Sequence, residues 1–283
     1  MDEVTPSRTI EIPAIMRALH QTSDDEPKIL ADAIAGRLVD VAALDANWLA
    51  PILSHPFARQ WRAGFLIRNR FAEDCLADGV ARGVRQYLIL GAGLDTFSYR
   101  QPAWAQAIGI FEVDHPATQR LKREQLAKSG IAPPGNLTFV PIDFETMSFD
   151  QALGATGFAL DGPTFCSWLG VTQYLTAAAI ESTLAFVLSL PRGSEIVFSF
   201  VLPQEALSGI EADAVATAAA KSAEVGEPWL SRFYPSEVAS QLRRMGFSEV
   251  IHLTPDQAQE RYLKNRLDGL AGRRGEQLMR AIV

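Results

Sequence analysis

Cysteine and histidine are scarce in this chain of 283 residues, which has two cysteines and four histidines. Cys75 and Cys166 both lie among apolar neighbours, so we expect two buried free thiols rather than a disulfide. Free thiols are typical of a reducing compartment, and they predict a cytoplasmic protein. The histidines show no spacing that suits metal ligands, so the sequence predicts no metal site.

An excess of positive charge is also missing. The formal net charge is −7, whereas a protein that binds nucleic acid or an anionic membrane surface is expected to carry a basic face. No apolar run approaches the roughly 20 residues that span a bilayer. The acidic start of the chain lacks the basic-then-apolar order of a signal peptide. We therefore expect neither nucleic acid nor a membrane as a partner, and the oligomeric state stays open.

The composition is that of a globular protein with a sizeable core, since 48% of the residues are hydrophobic and 21% are charged. The length suits one α/β domain with an added cap or insertion. We divide the chain into a helical cap over residues 1–81, a Rossmann-like core over 82–202 and 231–283, and a helical insertion over 203–230.

The cap is predicted to be helical from residue 9 to residue 81, with breaks at Pro27, Pro51 and Pro56. Apolar residues at helix spacing predict one buried stripe within it. They are Ile34, Leu38, Val41 and Leu44. Because this block precedes the first strand, we expect it to fold over the sheet rather than lie within it.

A glycine turn between two predicted strands organises the chain. Residues 87–90 form an unbroken apolar run that leads into the turn 91–93, which is typical of a strand buried on both faces. A second apolar run, 108–113, ends at Asp114. A glycine turn after one strand and a carboxylate at the tip of the next form the ribose site of nucleotide-binding α/β sheets.

Later apolar runs predict four more strands, and helix-start residues separate them. The predicted strands are 137–142, 164–169, 194–201 and 247–253. The predicted helices begin at Pro116, Thr176 and Pro235. The segment after residue 253 is assigned to neither a strand nor a helix.

The third strand ends at Asp143 and Phe144. A carboxylate followed by an aromatic residue at a strand tip suits an adenine, because the carboxylate accepts from the exocyclic amine and the ring forms a flat wall. The alternative is that Asp143 is the N-cap of a helix, since aspartate is a favoured capping residue. With Asp114 one strand earlier, we favour the adenine interpretation.

The segment Gly91–Arg100, followed by Phe111–Pro116 and Lys122, resembles the leucine carboxyl methyltransferase family. The resemblance is closer to its bacterial branch of polyketide-type O-methyltransferases, and it extends from about Thr9 to the C-terminus. It implies a Rossmann-like class I methyltransferase fold with S-adenosylmethionine as cosubstrate and S-adenosylhomocysteine as product. The residues we assign to cofactor binding are Arg68, Gly91, Ala92, Gly93, Asp114, His115, Asp143, Phe144 and Leu169.

Three of these assignments have particular grounds. Arg68 matches an arginine of the family that is expected to bind the methionine carboxylate, for which Arg17 is a second candidate. The family has Glu-Gly where this chain has Leu169 and Gly170, so a backbone carbonyl is expected to replace the glutamate near the donor's amino group. His115 is expected to shape the loop beside Asp114.

The insertion 203–230 is alanine-rich, acidic and predicted to be helical from 206 to 223. It fits a lid over the ligand cleft, and a subunit interface is the alternative. Tyr174, Trp229 and Tyr234 are the predicted walls of the acceptor pocket.

The sequence thus predicts a methyltransferase that transfers a methyl group to a carboxylate or hydroxyl oxygen of a small molecule. The alternatives are an NAD(P)-dependent Rossmann oxidoreductase and a non-catalytic protein that binds S-adenosyl compounds. We identify no catalytic base in the sequence.

Overall fold

The computed structural model describes residues 9–39 and 46–283, and its core is a sheet of seven strands. The strands are β1 (Gln86–Leu90), β2 (Gly109–Asp114), β3 (Leu137–Pro141), β4 (Thr164–Trp168), β5 (Glu195–Val201), β6 (Glu249–Leu253) and β7 (Glu276–Ile282). Their order in the sheet is β3-β2-β1-β4-β5-β7-β6. β7 is antiparallel to both of its neighbours, and the first five strands pair in parallel.

The six predicted strands are confirmed, with ends that differ by one or two residues. The seventh, β7, lies in the C-terminal segment that the sequence left unassigned. The sequence order does not suggest that β7 inserts between β5 and β6, because this pairing joins segments that are far apart in the chain. It brings Glu276, the first residue of β7, opposite Val201 at the carboxyl end of β5.

Both faces of the central strands are buried, as their unbroken apolar runs predict. Tyr87 and Ile89 of β1 pack into the core on one face of the sheet, and Leu88 and Leu90 pack into the core on the other. Successive side chains of a strand point to opposite faces, so one short run supplies both cores. The carboxyl ends of the parallel strands therefore meet at one rim, held rigidly from both sides.

The helices precede, connect and extend this sheet. They are α1 (Glu11–Ser23), α2 (Ala35–Leu38), α3 (Ala46–Leu53), α4 (Ala58–Ala81), α5 (Pro116–Lys128), α6 (Phe149–Leu153), α7 (Ala177–Ser189), α8 (Gly209–Glu224), α9 (Pro235–Met245) and α10 (Pro255–Ala258). The predicted starts of α5, α7 and α9 are confirmed, and the Thr176 side chain caps α7 by accepting from the N–H of Ala179 at 3.2 Å.

The N-terminal block differs from its prediction in two respects. The expected break at Pro51 is wrong, because α3 continues through this proline, which lies near the end of the short helix. Most of α4 packs on the sheet face, where Phe71 and Leu76 join the core around Tyr87. The cap over the rim is therefore formed by α1 to α3 and the first turns of α4.

Only part of the predicted apolar stripe can be compared with the structure. Leu38 is buried and Ile34 is half-buried, whereas Val41 and Leu44 lie outside the described residues.

The insertion contains α8, close to the helix predicted over 206–223. Ala214 of α8 is fully buried against Met16, Phe57 and Trp61 of the cap. Glu211 accepts hydrogen bonds from the backbone N–H groups of Arg274 and Gly275. The insertion therefore meets both the cap and the entry to β7, and the space between them faces the strand tips.

Candidate functional site

A cavity of about 630 Å³ lies over the carboxyl ends of β1, β2 and β4. The glycine turn and the strand tips form one side of it. The cap helices α1 and α4, the insertion helix α8 and the entry to β7 form the other side. In parallel α/β sheets this rim is where ligands bind, and the volume is in the range of small-molecule sites.

The glycine turn after β1 has a conformation that requires its first glycine. Gly91 has φ +66°, and a Cβ at this position would lie 2.3 Å from Cγ2 of Val171. The N–H groups of Gly91 and Ala92 both donate to the carbonyl of Val113, at 2.8 and 3.1 Å. The turn is thereby fixed against the end of β2, with its outer surface open to the cavity.

Asp114, at the end of β2, is joined to this turn. Its Oδ2 accepts from the N–H of Gly93 at 2.5 Å, and its Oδ1 accepts from the N–H of His115 at 2.6 Å. Burial raises the pKa of the Asp114 carboxyl, and the two N–H donors oppose that shift. A carboxylate oxygen has two acceptor positions, so each oxygen retains one for a ligand hydroxyl.

His115 lies beside this site as the N-cap of α5. Its Nδ1 accepts from the N–H of Ala117 at 3.2 Å, so the ring is held at the start of the helix. The ring borders the cavity. The role of His115 in shaping the loop beside Asp114 stays a prediction.

Asp143 and Phe144 both line the cavity at the tip of β3. Oδ1 of Asp143 accepts from the N–H of Glu145 at 3.0 Å, which caps a turn. The alternative interpretation as a helix N-cap is not met, because α6 begins later and is capped by Ser148. Phe144 is half-buried, and its ring centroid lies 6.3 Å from that of Trp168.

Arg68 reaches the tip of β4 from the middle of α4. Its Nη1 donates to Oε1 of Glu276 at 2.8 Å, and a Cβ at Gly170 would lie 2.6 Å from the same nitrogen. Burial lowers the pKa of the Arg68 guanidinium to about 10. Leu169 borders the cavity next to this contact. The guanidinium thus lies where a carboxylate could bind beside the strand tip.

Arg273 and Glu276 also line the cavity, and no pattern in the sequence predicts either residue. Glu276 forms ion pairs with both Arg68 and Arg273. Burial, followed by repulsion from Arg68, lowers the pKa of Arg273 to about 9. Both guanidinium groups lie over the ring of Phe65, at 4.7 and 4.8 Å from its centroid. The two guanidinium groups therefore share the Glu276 carboxylate at this end of the cavity.

Of the predicted pocket walls, Tyr174 and Trp229 line the cavity, and Tyr234 does not. Tyr234 is 37% exposed and lies at the N-cap of α9, where its N–H donates to Oε2 of Glu237 at 3.3 Å. The prediction for Tyr234 is therefore wrong. Between Trp229 and Tyr234 the chain leaves the cavity and reaches the start of α9. Trp229 therefore lines the cavity, whereas Tyr234, five positions later, lies on the protein surface.

Arg17 borders the cavity but is committed to structural bonds. Its Nε donates to Asp32 at 2.9 Å and its Nη2 donates to the carbonyl of Leu94 at 2.6 Å. Asp32 also accepts from the hydroxyl of Thr96 at 2.6 Å. This buried network ties α1 to the segment after the glycine turn, and it disfavours Arg17 as the binder of the methionine carboxylate.

Residues 9–39 and 46–283 contain no group of three or more His, Cys, Asp or Glu side chains that could hold a metal ion. Within the same ranges no helix has both the length and the apolarity to cross a membrane.

The sheet order, the antiparallel β7 and the cavity at the strand tips define the Rossmann-like class I methyltransferase fold. The structure is similar to that of a protein from Thermobifida fusca YX, provisionally named a methyltransferase, with a TM-score of 0.58, 16% identity, and coverage of 99% of this chain and 96% of that one. It is also similar to a DUF574 family protein from Streptomyces avermitilis MA-4680, with a TM-score of 0.57, 16% identity, and coverage of 98% and 97%.

The chain belongs to the leucine carboxyl methyltransferase family, whose model matches residues 10–188. YktD of Bacillus subtilis strain 168, provisionally named an S-adenosyl-L-methionine-dependent methyltransferase, is 36% identical over 240 residues, which are 84% of this chain and 76% of YktD. A protein of Mycobacteroides abscessus with the same provisional description is 31% identical over 156 residues, or 55% of this chain. The match spans 46% of that mycobacterial protein.

Proposed function

We propose that this protein is an S-adenosylmethionine-dependent methyltransferase that methylates an oxygen of a small molecule. The observation that carries the proposal is the hydrogen bond between Gly93 and Asp114, both of which line the cavity at the strand tips. This hydrogen bond places an acidic side chain and an open backbone turn where a nucleoside would lie. Membership of the leucine carboxyl methyltransferase family supports the same chemistry.

The donor would lie along the strand tips, from β3 to β4. Asp143 and Phe144 would hold the adenine, and the two free acceptor positions of Asp114 would take the ribose hydroxyls. Arg68 would bind the methionine carboxylate at the tip of β4, next to Leu169. A charged acceptor or donor inside a buried site strengthens each of these hydrogen bonds.

The reaction itself is a direct displacement. An oxygen of the acceptor attacks the methyl carbon, the carbon–sulfur bond breaks, and its electron pair stays on sulfur as S-adenosylhomocysteine forms. Because the sulfonium is an intrinsically good leaving group, the protein contributes chiefly by aligning the two reactants and excluding water.

The remaining part of the cavity would hold the acceptor. Its wall is largely apolar and aromatic, with contributions from the cap, the insertion and the segment after it, namely Ile12, Ile52, Phe57, Trp61, Phe65, Val215 and Trp229. Such a wall suits a small molecule with an apolar body, which is bound mainly by burial of its surface.

The test is transfer of a labelled methyl group. The purified protein is incubated with S-[methyl-³H]adenosylmethionine and a small-molecule extract of the source organism, and labelled products are separated by chromatography. We expect a labelled small molecule with wild type and none with Asp114→Ala. Label that appears only in protein or nucleic acid, or no label in any fraction, would contradict the proposal.

A further inference from the structure

Three side chains on one wall of the cavity have buried polar atoms without a hydrogen-bond partner among the described residues. These atoms are Oε1 of Gln173, Oε2 of Glu227 and Nε1 of Trp229. A buried polar group that lacks a partner costs free energy, about 1–3 kcal/mol each, and most such groups in proteins are satisfied. Three on one wall indicate that a ligand supplies the missing partners.

The backbone of this wall is fixed. The N–H of Glu227 donates to the carbonyl of Ser222 at 3.0 Å, and the Ser222 hydroxyl donates back to the carbonyl of Glu227 at 2.5 Å. The N–H of Leu230 donates to the carbonyl of Gln173 at 2.6 Å. Glu227 and Trp229 therefore belong to a loop after α8 that is hydrogen-bonded to α8 and to Gln173, which itself lies in the segment after β4.

The same wall adjoins the donor. Gln173 is 93% buried, and its Nε2 donates to the carbonyl of Gly170 at 3.2 Å. Gly170 follows β4 and contacts Arg68, which we assign to the methionine end of the donor. An acceptor oxygen bound on this wall would thus lie beside the methionine half of the donor, whose sulfur carries the transferable methyl group.

The hydrogen-bond donors and acceptors of this wall favour one kind of group as the recipient of the methyl group. Oε2 of Glu227 and Oε1 of Gln173 can accept hydrogen bonds, and the indole N–H of Trp229 can donate one. A hydroxyl group satisfies both kinds, because it donates one hydrogen bond and accepts others. A carboxylate has no proton to donate, and Glu227 would repel it. The aromatic rings of Phe57, Trp61 and Trp229 line the same cavity, and they suit a flat apolar body.

From these observations we propose that Glu227 is the general base for an acceptor hydroxyl carried on an apolar, aromatic ring. This inference rests on the proposed methyltransferase function. The hydroxyl proton passes to Oε2 of Glu227 as the oxygen lone pair bonds to the methyl carbon. The carbon–sulfur bond breaks with its electrons left on sulfur, and the protonated Glu227 returns its proton to solvent after the product leaves.

The test uses two probes with the same ring, 2-naphthol and 2-naphthoate, each with S-[methyl-³H]adenosylmethionine. We expect methylation of 2-naphthol in preference to 2-naphthoate. Glu227→Gln should lower kcat on 2-naphthol roughly 100-fold or more, in line with the usual contribution of a general base, and Glu227→Asp should retain part of the rate. Glu224→Gln, an exposed neighbour outside the cavity lining, is the matched control and should keep the wild-type rate.

Two further readouts separate a base from a merely structural residue. The affinity for S-adenosylhomocysteine, measured by calorimetry, should be equal in wild type and Glu227→Gln. The residual rate of Glu227→Gln on 2-naphthol should rise with pH more steeply than that of wild type, because solvent then supplies the naphtholate.

Several results would overturn the inference. One is a Glu227→Gln rate on 2-naphthol equal to that of wild type. Another is preferred methylation of 2-naphthoate, which would assign acceptor recognition to Arg273. A third is the absence of turnover of phenol, 2-naphthol and a hydroxyflavone by a protein that binds S-adenosylhomocysteine. Failure to bind S-adenosylhomocysteine at all would instead contradict the proposed function.

Discussion

The backbone N–H of Gly93 donates a hydrogen bond of 2.5 Å to Oδ2 of Asp114. This bond joins the glycine turn after β1 to the acidic tip of β2, so the two halves of the candidate ribose site form one unit before any ligand binds. A second N–H, from His115, holds the other oxygen at 2.6 Å. The carboxylate is therefore oriented before the ligand binds, so less side-chain conformational entropy is lost on binding.

Replacement of Asp114 should weaken donor binding strongly. Asp114→Ala removes an ionised acceptor from two buried ribose hydroxyls, so we expect a loss of about 2–4 kcal/mol in S-adenosylmethionine affinity by calorimetry. It also leaves the N–H groups of Gly93 and His115 without their partner, and we expect a loss of folding stability of about 1–3 kcal/mol in urea unfolding. Unchanged affinity in a folded Asp114→Ala variant would contradict the ribose assignment.

Two substitutions of Asp143 should differ in their effect on S-adenosylhomocysteine affinity. Asp143→Asn retains an oxygen that can cap the turn at Glu145 and accept from the adenine amine, whereas Asp143→Ala loses both bonds. We therefore expect S-adenosylhomocysteine to bind more weakly to Asp143→Ala than to Asp143→Asn. Equal affinities would mean that Asp143 serves the turn and not the adenine.

Gly170→Ala tests the placement of Arg68. Gly170 has φ +74°, and its added Cβ would displace the Arg68 guanidinium, whereas Gly193 has φ +88° and no atom within 4 Å of an added Cβ. Both alanines should lower stability because both strain the backbone, and Gly170→Ala should lower it further because it also displaces a buried guanidinium. Gly170→Ala alone should lower donor affinity, roughly tenfold or more. Equal donor affinities for the two variants would remove Arg68 from the donor site.

The insertion helix α8 should become more protected when ligands bind. The buried residues of α8 are few, namely Ala214, Val215 and Ser222, so local opening should cost little. We expect hydrogen exchange across Gly209–Glu224 to slow when S-adenosylhomocysteine and 2-naphthol are added. Exchange that is slow without ligand and varies with protein concentration would favour a subunit interface.

Trp229→Ala tests the acceptor wall beside this helix. Because Trp229 lines the cavity away from the glycine turn, its loss should raise the KM for 2-naphthol several-fold through lost apolar contact. The affinity for S-adenosylhomocysteine should stay near that of wild type. A parallel loss of donor affinity would show that the loop supports both halves of the site.

The parts of the site that local patterns encode were predictable from the sequence. Residues 87–93, and Asp114 at the end of the next strand, can each be identified from a short local segment. A buried strand and a glycine turn both have distinctive compositions. Arg273 and Glu276 have no such local pattern. They reach Arg68 because β7 pairs between β5 and β6, and that pairing depends on contacts between distant segments.

Two errors have the same origin in tertiary packing. The position of Pro51 in a sequence does not reveal whether it lies in the last turns of a helix that packs against its neighbours. Tyr234 follows Trp229 closely along the chain, yet the start of α9 turns it to the surface. In both cases the residue type agrees with the predicted role, but packing against distant segments gives the residue a different position.

Calorimetric titration with S-adenosylhomocysteine, and separately with NAD⁺ and NADP⁺, tests the central claim most directly. We expect S-adenosylhomocysteine to bind with one site per chain and an affinity that Asp114→Ala reduces, and we expect no heat of binding with either dinucleotide. Saturable binding of NAD⁺ or NADP⁺, with none of S-adenosylhomocysteine, would contradict the assignment of this cavity to a methyl donor.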